Sequence, residues 1–432
     1  MELIGVLVLV VSFVFLLAMG MPIAFCIGIS TTLTILVGTD FSPGMTTVAQ
    51  RMGTGLDSFT LLAIPFFILA GQIMNQGGIA QKLIDFAKSL VGMLPGGLAY
   101  VNIVACMLFG AISGSAVAAA SAVGSFMHPQ MVKEGYDKSY SAAVNITSST
   151  TGLLIPPSNI LIVFSLASGG TSIAALFIAG YIPGILVGLS LMFVAGYLAF
   201  RRKYPVSGKL PIKEVVIRFA RALPALLMII IVIGGIIAGY FTATEASAIA
   251  VLYALILSMF IDRALKIKDL PKVILDSCNT TAIVALLIAT SMAMSWVMAF
   301  ENIPQMVTSG LLAISENPII ILLIINVILL AVGIFMDMTP AVLIFTPIFL
   351  PVVMEFGMDP VHFGIVMILN LCVGLTTPPV GTALFVGVGV ANITIQQVVK
   401  PLIPLFIAMV IALLLITYIP QITMFLPDLL GL

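Results

Sequence analysis

Apolar runs of about 17–25 residues, the length that crosses a bilayer as an α-helix, follow one another along the chain between Gly, Pro and charged positions. They predict spans near 2–20, 22–38, 58–74, 139–168 and 173–200, and again near 223–240, 244–261, 276–299, 360–390 and 397–420. Two further apolar stretches, 97–134 and 318–357, are interrupted at their midpoints by Ser113-Gly114-Ser115 and by Asp337-Met338-Thr339-Pro340. Each arm is long enough to enter a membrane and each break suggests a turn. Both stretches therefore read as re-entrant helical hairpins, with a pair of complete spans as the alternative. The expectation is an all-α polytopic membrane protein of about ten spanning helices plus two hairpins. A transmembrane barrel would instead show alternating segments of roughly ten residues.

Composition agrees with the pattern: 61% of the 432 residues are apolar and 8% are charged. A soluble domain carries roughly a quarter charged residues, so the solvent that suits this chain is a lipid bilayer. Lipid offers no partners to the backbone, which must close its own hydrogen bonds in helices. Met1–Gly20 lacks a basic start and is expected to be a first span, not a cleavable signal. The net charge is zero, and no basic face is available for nucleic acid. Cys26, Cys106, Cys278 and Cys372 lie far apart in apolar stretches and read as packing residues. No phosphate-binding loop, His-Glu-x-x-His pair, Arg-rich helix or filter-like Gly-Tyr-Gly run occurs. ATP hydrolysis, metalloprotease chemistry, voltage sensing and potassium conduction are thereby excluded, and no enzyme constellation is expected.

Charge placement orients the spans. Arg201, Arg202, Lys203, Lys209, Lys213, Arg218 and Arg221 crowd a segment expected to be a basic cytoplasmic loop, 201–222. Arg263, Lys266, Lys268 and Lys272 mark the same side one helical pair later, and Lys82, Lys88, Lys133 and Lys138 flank the first hairpin. From 273 to 399 there is no Lys or Arg, so the second hairpin should open to the opposite side. Arg51 is the one basic residue on the wrong side. Residues 1–200 and 223–432 then form two halves of opposite orientation, with both termini outside.

The halves also align on themselves. A shift of 222 residues pairs Pro129 with Pro351, Gly135 with Gly357, Asp137 with Asp359, Gly152 with Gly374, and Pro156-Pro157 with Pro378-Pro379. It sets Ser115 opposite Asp337, so the hairpin breaks coincide. Inverted repeats with discontinuous helices place a binding site at mid-membrane, where broken ends expose backbone dipoles. The breaks are Thr147-Ser148-Ser149-Thr150-Thr151-Gly152 with Pro156-Pro157-Ser158-Asn159, and Gly374-Leu375-Thr376-Thr377-Pro378-Pro379. Adjacent prolines free helix carbonyls, which can ligate a hard cation such as sodium with Ser, Thr and Asn oxygens. The alternative is that the prolines only kink the spans and the hydroxyls pair with helix carbonyls. Asp337 is the most informative residue: a carboxylate at helix centre costs about 2.5–3.5 kcal/mol on insertion scales. It would ligate a cation, orient substrate or carry a proton, or else make an interhelical hydrogen bond. His128 and His362 read as packing residues; Trp296 and Tyr240 suit interfacial anchoring.

Gly110-Ala-Ile-Ser-Gly-Ser-Ala116, Leu154-Ile-Pro-Pro-Ser158, Met336-Asp-Met-Thr-Pro340 and Leu375-Thr-Thr-Pro-Pro-Val-Gly381 resemble the large membrane subunit of tripartite ATP-independent periplasmic (TRAP) transporters. The resemblance spans essentially the whole chain, including Pro22-Ile-Ala-Phe25 and the basic segment. It implies a sodium-driven symporter of organic acids (sialic acids, C4-dicarboxylates or sugar acids, with a leaning to sialic acid) in the bacterial inner membrane. It also implies a small four-helix membrane subunit and a periplasmic substrate-binding protein as partners, and an elevator-like transport domain moving against a scaffold. No cofactor is implied beyond sodium as the coupling ion. Carried over by motif, the sodium ligands would come from Ser113, Gly114, Ser115, Asn145, Thr150, Gly152, Pro156, Ser158 and Asn159 in the first half. In the second half they would come from Asp337, Thr339, Gly374, Thr376 and Thr377. Substrate would meet Ser113, Ser115, Asp337 and Thr339, the two roles not being separable. The competing readings are a stand-alone ion-coupled dicarboxylate carrier or exchanger and, from another class, an ion channel.

Overall fold

The computed structural model describes residues 2–205 and 211–432; Lys209 lies outside them. The described residues are helical throughout, with short connections. The first half contains α1 (Glu2–Ala18), α2 (Ile23–Gly38), α3 (Phe41–Leu56), α4 (Ala63–Gln76) and α5 (Ile79–Val91). The arms of its hairpin, α6 (Gly97–Ser113) and α7 (Ala116–Lys133), follow, then α8 (Lys138–Ser149), α9 (Asn159–Ala167) and α10 (Ile173–Arg201). The second half contains α11 (Ile212–Ile237), α12 (Ala243–Leu255), α13 (Leu270–Phe300) and α14 (Ile303–Ile314). Its hairpin arms are α15 (Pro318–Phe335) and α16 (Met338–Glu355), followed by α17 (Pro360–Leu375), α18 (Thr382–Ala391), α19 (Ile395–Tyr418) and α20 (Gln421–Leu430). Eight helices among the described residues are long and apolar enough to cross a membrane.

The spacing of 222 residues recurs in the helices: it carries the limits of α7 onto those of α16. The residues it matches have local structural reasons. Gly135 and Gly357 adopt positive φ of 89° and 76° at the turns after the hairpins, a conformation that costs glycine nothing. Asp137 and Asp359 are N-caps, accepting from the Tyr140 N–H at 2.8 Å and the Val361 N–H at 2.7 Å. Gly152 and Gly374 let backbones touch: a Cβ would lie 2.4 Å from the Gly110 Cα in one case and 2.6 Å from the Gly333 Cα in the other. The Cys372 thiol meets the Thr150 carbonyl at 3.5 Å, a contact between two matched positions.

Some elements differ from the pattern's reading. The stretches 139–168 and 360–390 are each two helices, because the Pro-Pro pairs end α8 and α17 and the chain restarts in α9 and α18. Helices α3 and α5 are amphipathic and too weak in hydropathy to register as spans, and α14 is apolar but only 12 residues long. In α5, Ile79, Leu83, Ile84 and Ala87 are buried while Lys82 reaches Asp262 in an ion pair. Residues 212–222 belong to α11, leaving a shorter loop: apolar residues alternate there with charges at helical spacing, and Glu214 pairs with Arg218 one turn on. Arg51, the basic residue on the unexpected side, sits 5.0 Å from the centroid of the Trp296 ring.

Packing sorts the helices into two groups. Helix α4 packs on α12 and α13, and α13 in turn on α2 and α3. The hairpins pack with the broken helices: α7 on α8 and α18, α8 on α19, α15 on α17, α16 on α9. Buried amides fix each hairpin to its neighbour. Ser148 donates to Asn102 Oδ1 at 3.0 Å, joining α8 to α6, and Asn370 Nδ2 donates to Asn326 Oδ1 at 2.7 Å, joining α17 to α15. The groups meet where α4 touches α6 and α9, where α5 touches α6 and α7, and where α13 and α14 touch α16.

Candidate binding cavity between the hairpin tips

The first tip is a tight turn. Helix α6 ends at Ser113, Gly114 takes a left-handed φ of 62°, and Ser115 caps α7 by accepting from the Ala118 N–H at 3.2 Å. Gly114 is pressed against Asn159, whose Nδ2 would lie 3.1 Å from an added Cβ, and Gly71 of α4 is pressed against the Ser113 carbonyl at the same distance. The second tip turns through extended backbone, with Met336 at φ −117° and Asp337 at φ −69°, ψ 160° in the N-cap position of α16. Each tip faces one break. After α8 a 3-10 turn (Thr151–Leu153) leads to Pro156-Pro157 and α9; after α17, Thr376-Thr377 lead to Pro378-Pro379 and α18. Both Pro–Pro bonds are cis. The Gly381 N–H donates to the Ile334 carbonyl at 3.2 Å, tying the second break to α15.

A cavity of about 610 Å³ joins these parts. Ser113, Gly114, Ser115, Asn159, Asp337, Thr339 and Thr382 all line it, and Asp337 is the one ionisable side chain among the described lining residues. The N-terminal residues of α7, α9, α16 and α18 border it together. Four positive dipole ends thus border it, each equivalent to roughly half a charge. Around them lie buried oxygens that no protein group satisfies: Ser113 Oγ, Ser158 Oγ, Asn159 Oδ1 and Thr382 Oγ1. Orphaned buried polar atoms are costly. Neutral oxygens beside one carboxylate form a hard-donor set, suited to an alkali or alkaline-earth cation and not to a thiolate- or imidazole-bound metal. Among the described residues no cluster of three His, Cys, Asp or Glu stands ready for a metal of the latter kind.

Other expected site residues sit behind the cavity. Asn145 Nδ2 donates to the Ala120 carbonyl at 2.8 Å, bracing α8 against α7. Thr150 Oγ1 donates to the Thr147 carbonyl at 3.1 Å. Thr376 and Thr377 both donate to the Val373 carbonyl at 2.8 Å, which leaves lone pairs on each hydroxyl. Gly152 and Gly374 provide close backbone packing, and Pro156 and Ser158 are buried in the first break. His362 is held between Thr423 and the Thr417 carbonyl, a packing role as expected. The structure adds residues that the sequence reading passed over: Gln72 and Asn75 of α4, Ser121 and Ser125 of α7, Thr280 of α13, and Thr382. Amides three residues apart in an apolar helix were the available signal for the first two, but the expected span stopped at 74.

Fold and site together define a multi-pass membrane permease with paired hairpins. The YdaH transporter of Alcanivorax borkumensis has the same fold, with a TM-score of 0.63, 12% identity, and coverage of 87% of this chain and 88% of that one. The family described as "Tripartite ATP-independent periplasmic transporter, DctM component" matches residues 10–422, and the chain belongs to it. Similar proteins include YgiK of Salmonella typhimurium, 54% identical over 98% of this chain and 97% of that protein. The C4-dicarboxylate TRAP transporter large permease DctM of Pseudomonas aeruginosa is 40% identical over 94% of each chain. The chain is accordingly a transporter permease and not an enzyme.

Proposed function

We propose that the chain is the large permease of a sodium-coupled symporter that imports an organic acid across the bacterial inner membrane. The acid would be handed over by a periplasmic binding protein, with a small four-helix membrane subunit bracing the permease. The observation that carries this reading is the cavity itself, where Asp337, four helix N-termini and the unsatisfied oxygens of Ser113, Asn159 and Thr382 converge, with Ser158 Oγ buried behind them. At the first break, Ser113, Ser158 and Asn159 supply neutral oxygens for one sodium ion. At the second, Asp337, Thr339, Thr382 and the lone pairs of Thr376 and Thr377 supply another. No described cationic side chain lines the cavity. A substrate carboxylate there depends on helix N-termini and on sodium for its counter-charge, which couples the two bindings. The two packing groups are suited to sliding past each other, the hairpins carrying the site as an elevator, and the family membership and the C4-dicarboxylate relative support the organic-acid class.

The test is uptake into proteoliposomes holding this chain and its small subunit, with labelled organic acids, with and without the binding protein, under inward sodium or proton gradients. Uptake requiring sodium and the binding protein is expected. Uptake without the binding protein points to a stand-alone carrier, uptake driven by protons alone reassigns Asp337, and non-saturating conduction points to a channel.

A further inference from the structure

A second cavity, of about 400 Å³, shares no lining residue with the first, and nearly all of its walls are apolar. Val104 and Leu108 of α6, with Tyr181 and Leu189 of α10, form one wall, and Leu226 and Ile229 of α11 form the other. Helix α10 packs on α6 and α19 within the hairpin group, whereas α11 packs on α5 and α12. The cavity is therefore a crevice along a seam between the two packing groups. Ile185, Leu189 and Ile230 are exposed on its rim, well inside spanning helices, so it opens sideways into the bilayer. The Tyr181 hydroxyl is the one oxygen or nitrogen among the lining side chains, and it has no hydrogen-bond partner among the described residues. Buried water needs roughly two to four polar partners, and this space offers it one. Hydrocarbon suits it better.

Size and charge say which hydrocarbon. From Tyr181 to Met192 the crevice runs about 16 Å at 1.5 Å per residue, half of the roughly 30 Å hydrocarbon core and so the depth of one leaflet. A partner helix, roughly 10 Å across, would need about three times the cavity's volume over that length. The Met192 end lies about 14 Å along α10 from Arg201, and Leu226 lies about 8 Å along α11 from Arg221. Arg201, Lys203 and Arg221 are exposed there and form no ion pair with a described residue. The neighbouring carboxylates are already taken, Asp137 facing Arg202 and Glu214 pairing with Arg218. A lipid chain is as apolar as leucine, so entering the crevice gains packing contacts but no hydrophobic free energy. Selection among lipids then falls to the headgroup, and free cations at the mouth favour an anionic one. We infer that the seam is a phospholipid site, with one acyl chain between α6, α10 and α11 and an anionic headgroup on Arg201, Lys203 and Arg221. The bound chain touches both packing groups and so ties α11 to the hairpin group.

The test is phospholipid titration of the delipidated permease with its small subunit, read by native mass spectrometry, with dioleoyl phosphatidylglycerol and dioleoyl phosphatidylcholine as probes. The anionic lipid is expected to bind at least about tenfold more tightly, each cation near the headgroup contributing about fivefold. Filling the crevice with V104F/I229F should weaken binding of the anionic lipid at least about tenfold. R201Q/K203Q/R221Q, which changes only exposed side chains, should bring the two lipids within about twofold of each other. Equal binding of both lipids to the native complex overturns the inference, as does unchanged affinity in monodisperse V104F/I229F. A preference that survives in R201Q/K203Q/R221Q overturns it too, and this variant decides the matter where the filled one does not fold. Anionic lipid that binds only once the small subunit is removed gives the crevice to that subunit and likewise sinks the lipid site.

Discussion

The first hairpin-and-break unit turns on a left-handed glycine between two serines, and buries three unsatisfied oxygens, on Ser113, Ser158 and Asn159. The second turns through extended backbone at Met336-Asp337, brings a carboxylate, and buries one unsatisfied oxygen, on Thr382. Where the two units hold the chain in shape they are matched: turn glycines, N-cap aspartates and contact glycines recur at one spacing. Where they face the cavity they have diverged, Ser115 against Asp337 and Ser158-Asn159 against Val380-Gly381. Symmetry has been kept for packing, which any change would damage, and given up for chemistry. A site with one carboxylate and many neutral oxygens discriminates between its two ends, which a fully symmetric site could not do.

The comparison can be broken most severely at the glycines. Gly152→Val and Gly374→Val each force a side chain into facing backbone, so both should lose several kcal/mol, more than the about 1–3 kcal/mol typical of overpacking. Yield and monodispersity in detergent should collapse alike in the two; a well-folded variant of either would show that the halves are not held by the same contact. Next is the asymmetric position. Asp337→Asn should leave folding intact and reduce sodium-driven uptake about 100-fold, equivalent to about 2.7 kcal/mol of lost interaction with the cation. Uptake at the original level would mean that the carboxylate plays no part in coupling.

Smaller effects sharpen the same contrast. Ser158→Ala and Thr377→Ala each remove one neutral oxygen, and should raise the sodium concentration for half-maximal uptake by about fivefold, near 1 kcal/mol each. No change in either variant would remove the idea of one cation at each break. The mildest pair is Asp137→Ala and Asp359→Ala, each losing an N-cap worth about 1 kcal/mol. Thermal unfolding should shift by similar amounts in the two, with sodium dependence untouched. Unequal shifts would show that the caps are not equivalent.

How much of this was legible beforehand depended on the kind of signal. The hairpins, the Pro-Pro breaks and Asp337 stand out because Pro, Gly and charge are rare in apolar runs, and lipid tolerates them only where neighbours compensate. The extension of α11 to Ile212 and the helices α3 and α5 were harder to see, since their amphipathic or mixed sequences resemble loops to a hydropathy count, and α14 is too short to count as a span. The Asn145 amide braces against the Ala120 carbonyl of α7 and the Thr150 hydroxyl against the Thr147 carbonyl of its own helix, pairings that no spacing along the chain records. Gln72, Asn75 and Thr280 look incidental, yet they line the cavity.

The sequence by itself determined the solvent, the helices, the repeat and the residues that interrupt them, because transfer energies and backbone hydrogen bonding act locally along the chain. Only the tertiary structure decided which polar groups share a space. Oxygens from α6, α9, α16 and α18 meet through packing between elements hundreds of residues apart in the extreme case, Ser113 and Thr382. Whether a hydroxyl is satisfied by its own helix or left facing a cavity is a property of its neighbours in space, and no spacing along the chain records it.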